Sequence, residues 1–498
     1  MTTLPVDPTP RVLAAGHLSP GVLVLRLIDS LRQIVLPIAI AVVARSPWLA
    51  IVAAVLALLG LVFAVARYVT FRYRLDEHEL STREGILERQ ERRIPVDRIQ
   101  DLSFESTVLR RLLGLVVVSV ETASGKGAEA RLDSLTRRDA ELLRAALIGL
   151  RSARAAGAEG SARAAEPRER VLQRTGFGEL ILLGMTSNRA GAIVVAVLGV
   201  LELADEFGLG RTVGGTFGAA LDRLASAGSP VLLLFFLAIA VVVLVLGALV
   251  ATIAAVVVYG DFQLSERSGV ISLRHGLLTR RSQSLPRRRI QRVLLEANPL
   301  RRLCDAVVVR ADSAGADASD QESARRARDV VVPLCSSQRA EILVPHLLPG
   351  LPHASPRWHR VSSRLILRLT LEGVLLALVL WAVLFPVAGK LALATILLPF
   401  ITGCRAALAY HNLGFARLPG HVAFRLGVLT RIRAFIPLRK VQGVALVAGP
   451  IDRLFGLTRI TVYVAGGSPT RLGHLPRAEA EQLRDAVVRE AAASSFVW

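Results

Sequence analysis

Hydrophobic runs alternate along the chain with long polar stretches, and the longest runs predict membrane-spanning helices. No Asp, Glu, Lys or Arg occurs between Arg223 and Asp261, and residues 230–259 are nearly all Leu, Val, Ile and Ala. About 20 such residues suffice to cross the hydrocarbon core of a bilayer. Residues 48–66 form a second run without charged side chains.

Each of these runs follows a shorter apolar run, at residues 34–44 and 190–201, so the spans are predicted to come as hairpins. A third hairpin is predicted at residues 373–389 and 391–403, with a short turn at Lys390. Its second arm is short, which favours snorkelling, bilayer thinning or a re-entrant path. The total is about six transmembrane helices in three hairpins.

The polar stretches contain β-strand patterns. Residues 73–85 and 262–276 read as strand, polar turn and strand, and residues 116–122, 306–310 and 459–464 are further strand-like runs. Leu142, Leu143, Ala146 and Leu147 then form the apolar stripe of an amphipathic helix. Several strands and one closing helix predict a small β-sandwich or barrel.

The same motif occurs in three of these stretches. An R-x-G-(I/V/L)-L-x-R segment is followed by a proline ten residues after its glycine, a glutamine five residues later, and an Arg-Leu pair eleven residues after that. The motif residues are Gly85, Pro95, Gln100 and Arg111, then Gly276, Pro286, Gln291 and Arg302, then Gly427, Pro437, Gln442 and Arg453. The glycines lie too far apart for a stacked solenoid, so the chain carries three copies of one small domain.

The predicted organisation follows from these patterns. The boundaries are residues 1–70 for the N-terminal segment and first hairpin, 71–150 for domain 1, 151–186 for a linker, 187–259 for the second hairpin, 260–350 for domain 2, 351–366 for a linker, 367–411 for the third hairpin and 412–498 for domain 3.

Composition agrees with a membrane protein and suggests its orientation. Hydrophobic residues make up 52% of the chain, mean hydropathy is +0.49 and the net charge is +21. Residues 260–366 hold 18 Arg against 10 acidic residues, whereas residues 202–229 hold four acidic residues against two Arg. The positive-inside rule therefore predicts that the termini and all three repeats face the cytoplasm. Nucleic acid is not an expected partner.

These motifs, each behind a hairpin of spans, resemble the bacterial pleckstrin-homology (PH) domain of the YdbT-like membrane proteins. The resemblance implies a PH-like sandwich of seven strands closed by a C-terminal helix, in a multi-pass membrane protein. It brings no catalytic residues and does not establish phosphoinositide binding, because fold alone does not supply function.

The basic residues of the motif are the candidates for chemistry. They are candidate contacts for an anion, a lipid headgroup or a partner: Arg83, Arg89, Arg98, Arg274, Arg280, Arg289, Arg425, Arg431 and Lys440. Six residues along a regular strand would put the two arginines that flank each glycine on one face. A structural role is favoured, because a glycine between them indicates a turn or bulge that points them apart.

The rest of the motif is interpreted mainly as structural. The Pro-x-x-(Arg/Lys)-(Ile/Val)-Gln segment fits a strand edge with an inward aliphatic side chain, and its alternative is a ligand-binding rim. The Arg-Leu pairs predict a helical turn that docks its leucine into the core. Gly114 and Gly456 are predicted at turns with positive φ, and Asp305, at the same position of the second repeat, suggests a local difference there.

No metal, nucleotide or nucleophile signature occurs, and the three cysteines suggest neither a disulfide framework nor a zinc site. We therefore expect no enzyme activity, no cofactor and no metal. The leading hypothesis is a scaffold of the bacterial cytoplasmic membrane for envelope maintenance, with partners among inner-leaflet lipids, another membrane protein or a second copy. The alternative is a transporter or an antimicrobial-peptide resistance factor that acts through the membrane helices.

Overall fold

The three repeats have one order of elements in the computed structural model, which describes residues 12–25, 28, 47–85, 89–122, 128–158, 169–187, 229–267, 269–313, 328–352, 356–465 and 468–493. A strand precedes a membrane-type helix, three strands follow, and a turn of 3-10 helix leads to three more strands with a short helix after the first. A closing helix ends each repeat. The fold is a mixed α and β structure with several β-sheets.

The bounds of these elements follow by repeat. The first has β1 (Val12–His17), α1 (Pro47–Thr70), β2 (Arg72–Asp76), β3 (Glu79–Glu84), β4 (Gln90–Pro95), a 3-10 turn (Val96–Arg98), β5 (Ile99–Thr107), α2 (Val108–Leu112), β6 (Leu115–Thr122), β7 (Ala128–Thr136) and α3 (Arg137–Ala158). The second has β8 (Arg170–Arg174), α4 (Phe177–Met185), α5 (Ser229–Tyr259), β9 (Gln263–Arg267), β10 (Val270–His275), β11 (Thr279–Pro286), a 3-10 turn (Arg287–Arg289), β12 (Ile290–Ala297), α6 (Pro299–Leu303), β13 (Ala306–Ser313), β14 (Arg328–Ser336) and α7 (Ser337–Leu347). The third has β15 (His359–Arg360), α8 (Arg364–Ala388), a 3-10 segment (Gly389–Ile396), α9 (Leu397–Asn412), β16 (Gly414–Leu418), β17 (His421–Leu426), β18 (Arg431–Pro437), a 3-10 turn (Leu438–Lys440), β19 (Val441–Val447), α10 (Pro450–Leu454), β20 (Leu457–Val464), β21 (Thr470–Pro476) and α11 (Arg477–Ala493).

Each repeat starts with a strand that lies before its membrane-type helices in sequence. β1 pairs antiparallel with β2, β8 with β9 and β15 with β16. The hydrophobic segments are therefore inserted between the first and second strands of a sheet. Sequence analysis missed these strands, because β8 and β15 fall in stretches that it assigned to linkers and β1 in its N-terminal segment.

The two halves of each repeat share one core. In the first repeat, Leu75 and Leu80 from the first sheet are fully buried against Val118 and Leu132 from the second and Leu143 from the closing helix. Burying a leucine of this kind contributes about 1.5–3 kcal/mol. The alternation of buried and exposed residues in β2 and β3 matches the strand periodicity read from the sequence. These sandwiches with a closing helix fit the PH-like expectation.

The sheets themselves continue from one repeat to the next. β5 pairs antiparallel with β11, and β12 pairs antiparallel with β18. We call these pairings the first and second inter-repeat joints. They produce two seven-stranded sheets, in the orders β7-β6-β5-β11-β10-β9-β8 and β14-β13-β12-β18-β17-β16-β15. A four-stranded sheet, β1-β2-β3-β4, and a three-stranded sheet, β19-β20-β21, lie at the two ends of the series.

Three helices in the described part of the chain are long and apolar enough to cross a membrane. They cover Leu237–Tyr259, Arg364–Val387 and Ala392–Asn412. The predicted span at residues 48–66 is helical within α1. The predicted spans at residues 34–44 and 190–201 lie outside the described residues.

Candidate functional site

The motif glycine forms the turn between the third and fourth strands of each repeat. Gly85, Gly276 and Gly427 have φ values of 110°, 106° and 81°. A Cβ atom on Gly276 would lie 2.0 Å from the carbonyl oxygen of Thr279, and one on Gly427 would lie 2.0 Å from that of Thr430. Only glycine fits this turn without strain. The flanking arginines are therefore separated by a turn rather than aligned along one strand.

The turn of the second repeat contacts the end of a candidate span. The amide of Gly276 donates to the carbonyl of Gly260 at 2.7 Å, and the amide of Leu277 donates to that of Val257 at 3.0 Å. The last carbonyls of a helix have no partners within the helix, so these bonds cap α5. The strand pair of the repeat is fixed to the helix at this point.

The turn of the third repeat is attached to α9 through a side chain. Asn412 donates through Nδ2 to the carbonyl of Val428 at 2.7 Å, and its Oδ1 accepts from Nε of Arg431 at 2.7 Å. The glycine turn thus lies at the end of a candidate span in two repeats.

The Arg-Leu pairs form the predicted helical turns, but their leucines are not buried. Leu112, Leu303 and Leu454 end α2, α6 and α10 and are 78%, 85% and 84% exposed. The expectation that these leucines dock into the core is therefore wrong. Each helix is a single turn of five residues in which no leucine is buried, so the turn lies on the surface and its last leucine does not reach the core.

Arg111 bridges the first inter-repeat joint. Its guanidinium donates to the carbonyl of Leu277 at 2.6 Å, which belongs to the glycine turn of the next repeat. Glu105 and Arg281 form an ion pair of 3.2 Å across the same joint. Two parts of the repeated motif, the Arg-Leu pair and the glycine turn, therefore meet between neighbouring repeats.

The other candidate arginines of the first two repeats do not converge. Arg83 pairs with Glu91 at 3.0 Å, Arg280 with Asp261 at 3.2 Å, and Arg274 lies 4.0 Å from Glu169. Hydrogen bonds from Arg83 and Arg93 lower the pKa of Glu91. Arg89 and Arg98 are exposed and Arg289 is half-buried. These positions are separate surface sites rather than one pocket.

The Pro-x-x-(Arg/Lys)-(Ile/Val)-Gln segment forms the end of one strand, a 3-10 turn and the start of the next strand. Pro95, Pro286 and Pro437 each end a strand before a 3-10 turn, and Ile99, Ile290 and Val441 are buried. The amide of Gln291 donates to the carbonyl of Arg289 at 3.1 Å, as predicted for a turn. Lys440 is buried in the third repeat, and burial followed by the charge of Arg439 lowers its pKa.

A cavity with four arginines lies at the second inter-repeat joint. Its volume is about 810 Å³. It is lined by Arg302 from the second repeat, by Arg425, Arg431 and Arg433 from the third, and by His411 and Asn412 from the end of α9. Asp305 and Glu341 are its acidic residues. Two candidate arginines and one motif arginine thus come together here.

Repulsion between guanidinium groups marks this cavity as electropositive. Burial, followed by the nearby charges of Arg433, Arg431 and Arg360, lowers the pKa of Arg425. Burial and then Arg302 and Arg433 lower the pKa of Arg431. Because like charges disfavour one another at short range, an anion bound here would lower the energy of the cluster.

Neighbouring groups orient these arginines. The guanidinium of Arg425 stacks on the ring of Trp358 at 4.1 Å, and Arg433 pairs with Glu341 at 2.8 Å. Sequence reasoning did not identify Arg433, Trp358 or Asn412, because they lie outside the repeated motif. The polar end of a hydrophobic run is a signal that could have indicated Asn412.

No group of three or more His, Cys, Asp or Glu side chains that could hold a metal ion occurs among the residues the structure describes. Cys304 and Cys404 are exposed and Cys335 is buried, and burial raises the pKa of Cys335 to about 12.

Comparison with known proteins agrees with the repeated architecture. The family model described as "Bacterial PH domain" matches residues 30–151, 221–349 and 366–491. The chain is also similar to the UPF0699 transmembrane protein YdbT of Bacillus subtilis (strain 168), with 25% identity over 294 residues. That alignment covers 57% of this chain and 57% of the relative. The matched segments each contain one complete copy of the motif.

Proposed function

Because the chain belongs to the bacterial PH-domain family, we propose that it is a non-enzymatic, multi-pass protein of the bacterial cytoplasmic membrane whose three PH-like modules form a scaffold on the inner leaflet. In this proposal six spans form three hairpins, and the termini and the modules face the cytoplasm. The excess of arginine in residues 260–366 supports that orientation.

Close helix packing supports the hairpin arrangement. A Cβ atom on Gly373 of α8 would lie 1.9 Å from Oγ1 of Thr402 in α9, so these two candidate spans approach closely through a glycine. Small residues at such contacts are typical of helices packed within a bilayer.

The attachment of the glycine turns to the ends of span helices carries the proposal. Leu277, Leu278 and Leu429 are exposed on these turns, and Arg280 and Arg431 follow closely in sequence. Leucine side chains favour the acyl-chain boundary and arginines favour anionic headgroups, so this combination suits the membrane interface. The modules then rest on the lipid surface rather than hang from flexible tethers.

The arginine cavity extends this role to a phosphoryl anion. Four guanidinium groups converge at the end of α9, and arginine matches the oxygens of a phosphate group with paired donors. A lipid headgroup and a free phosphate share this chemistry. The bound anion would join the second and third repeats, because Arg302 comes from one and Arg425 and Arg431 from the other.

A depth measurement tests docking on the inner leaflet. The full chain, with its three native cysteines replaced, carries a fluorophore at Leu278→Cys or Leu429→Cys in nanodiscs that contain a lipid-bound quencher. We expect strong quenching at both sites. Val488→Cys is the matched control, because Val488 lies on the closing helix α11 with a similar exposure of 46%. Equal quenching at Val488, or none at Leu278 and Leu429, would contradict the proposal.

A second measurement tests the anion. We compare the melting temperature of the full chain with that of the Arg425→Gln/Arg431→Gln variant, in phosphatidylglycerol and phosphatidylcholine nanodiscs and with added inorganic phosphate. We expect phosphatidylglycerol to stabilise the wild type by several degrees more than the variant. Arg417→Gln, at an exposed position of β16, is the control. A response to inorganic phosphate alone would contradict the lipid as the source, and equal responses of all variants would contradict the site.

A further inference from the structure

Two of the open sheet edges in the described part of the chain belong to strands whose counterparts in the other repeats pair between repeats. β4 is the last strand of the four-stranded sheet, and β19 is the first strand of the three-stranded sheet. In the other repeats, the counterparts of β4 are β11 and β18, and the counterparts of β19 are β5 and β12. Those four strands form the two inter-repeat joints. The described part of the chain therefore presents two complementary halves of a third joint.

Both joints have the same register when positions are counted within the repeat. In the first joint, Glu105, five residues after the motif glutamine, faces Arg281, five residues after the motif glycine. In the second joint, Leu295, four residues after the glutamine, faces Arg433, six residues after the glycine. The two offsets add up to ten in each case. Because both joints have the same register, neighbouring repeats pair with one geometry.

The same register can be applied to β19 and β4, and it places their residues opposite each other without an insertion or a deletion. Leu446, four residues after Gln442, falls opposite Glu91, six residues after Gly85, and Val444 falls opposite Arg93. The strands run antiparallel, as they do in both joints.

Side-chain exposure shows that β19 lacks the cover that β12 has. Val293 and Leu295 of β12 are fully buried, whereas their counterparts Val444 and Leu446 are only half-buried, and Val447 at the end of β19 is 51% exposed. An exposed strand of this composition, without a charged side chain or proline, is a template for pairing with another strand. In soluble proteins, charged side chains or prolines normally block pairing at an exposed edge strand.

β4 has the opposite character. Glu91, Arg92 and Arg93 are exposed on it, while the counterparts of the two arginines in β18, Ala434 and Phe435, are buried in the second joint. Charged side chains on β4 discourage pairing of β4 with itself. β19 has no charged side chains, so its pairing with β4 avoids the repulsion between like charges that two β4 strands would experience.

We propose that β19 of one copy of this chain adds to β4 of a second copy, with Leu446 opposite Glu91, so that the joint repeated within the chain also connects chains. This is strand addition to an open sheet edge. The partner is a second copy because each chain offers one edge of each kind, and they belong to separate sheets at opposite ends of the series. Two chains close a ring through two such contacts, and a larger number forms a longer closed or open series.

Arg453 provides an additional contact in this arrangement. It occupies the position of Arg111, which donates across the first joint to the glycine turn of the next repeat. Arg453 is exposed, and by the same offset it would lie beside Gly85 of the second copy.

Disulfide trapping in native membranes tests the contact and its register. Two full-length, differently tagged chains without native cysteines are co-expressed, one with Leu446→Cys and one with Glu91→Cys, and treated with a mild oxidant. Residues directly opposite in a sheet have Cβ atoms about 4.5–5.5 Å apart. We expect a crosslinked species that carries both tags. Glu79→Cys, on the next strand β3, is the matched control and should give at least tenfold less product.

The results distinguish pairing between two chains from pairing within one chain. If Leu446→Cys and Glu91→Cys in the same chain form only an internal disulfide, the chain closes on itself and the proposal is wrong. Equal yields with Glu79→Cys would equally overturn it. Light scattering of the detergent-solubilised chain should show that Val447→Lys, at the exposed end of β19, lowers the particle mass at least twofold while the melting temperature stays close to wild type. A wild type that is monomeric in the same detergent and gives no crosslink would also contradict the proposal.

Discussion

Asp305 adopts a backbone conformation that glycine occupies in the other two repeats. Its φ is 47°, and the corresponding Gly114 and Gly456 have φ values of 67° and 65°. The expected local difference in the second repeat is therefore absent, since the turn is kept and Asp bears the strain. A residue other than glycine in this region costs on the order of 1 kcal/mol or more.

Replacement of Asp305 should relieve this strain. We predict that Asp305→Gly raises stability by about 1 kcal/mol, because the gain at this φ exceeds the entropy that glycine loses on folding. Thermal unfolding of the full chain in detergent measures the change. Asp305→Asn removes the same charge but keeps a side chain, so it should show little stabilisation. A lower melting temperature for Asp305→Gly would contradict the strain argument.

His474 gives the third repeat a pH dependence. Burial, followed by the positive charge of Arg368, lowers its pKa to about 4. An unfolded histidine titrates near 6.5. Between these values the unfolded chain binds a proton that the folded chain does not, so stability falls as pH decreases from about 6.5 to 4.

A neutral substitution should remove this part of the pH dependence. His474 has a φ of 64°, which asparagine tolerates well. We predict that the difference in melting temperature between pH 7 and pH 5 is smaller for His474→Asn than for the wild type. His421, whose pKa is also lowered by burial, is present in both proteins and cancels in the comparison. If the melting temperatures of the two proteins changed equally with pH, the pKa of His474 would be the same in the folded and unfolded states, and the prediction would be wrong.

At the scale of elements, a buried ion pair within the second repeat is hydrogen-bonded to a strand of the third repeat. Arg292 of β12 donates through Nε to Oδ2 of Asp312 in β13 at 2.7 Å, and it also donates to Oγ1 of Thr470 in β21. Arg292 and Asp312 are both buried. Removing one partner leaves a buried charge without its counter-charge, which costs about 3–5 kcal/mol.

A double-mutant cycle checks this pair. We predict that Arg292→Met and Asp312→Leu each destabilise the protein by about 3–5 kcal/mol, and that the double variant recovers most of the loss because no buried charge remains. Denaturant unfolding measures the four proteins. Additive losses in the double variant would show that the two charges do not interact.

Local patterns predicted the turns and strands well, because their causes are local. The glycine of the motif needs positive φ, and the buried Ile or Val before each glutamine follows strand alternation. Such features depend on residues a few positions apart. Their three occurrences in one register made the repeat recognisable.

The missing parts depend on distant residues. β1 is separated from β2 by the predicted first hairpin, so no periodicity connects them. The joints pair strands more than 100 residues apart, and strand pairing of that kind leaves no local pattern. The outward leucines were interpreted as core because an apolar residue next to an arginine has the same pattern in a core and at a membrane surface. The arginine cavity depends on the second joint and was missed with it.

For the whole molecule, shared sheets imply that the repeats hold together without an intact backbone. The first joint connects β5 to β11, and Arg111 and the pair Glu105–Arg281 add side-chain contacts across it. We predict that a protease site inserted at residues 159–168, between the first and second repeats, allows cleavage without separation of the two pieces. Affinity purification through a tag on one piece should recover the other.

The joint rather than the membrane helices should account for this association. Arg111→Ala combined with Arg281→Glu removes a bond and places two acids opposite each other, which disfavours strand pairing. We expect at least tenfold less recovery of the second piece from this variant after cleavage. Adding Glu105→Arg reverses the ion pair and should restore part of the recovery, because the opposite charges face each other again. If the cleaved variant co-purifies as well as the cleaved wild type, the helices alone hold the pieces together, and the shared sheet contributes little to the assembly of the chain.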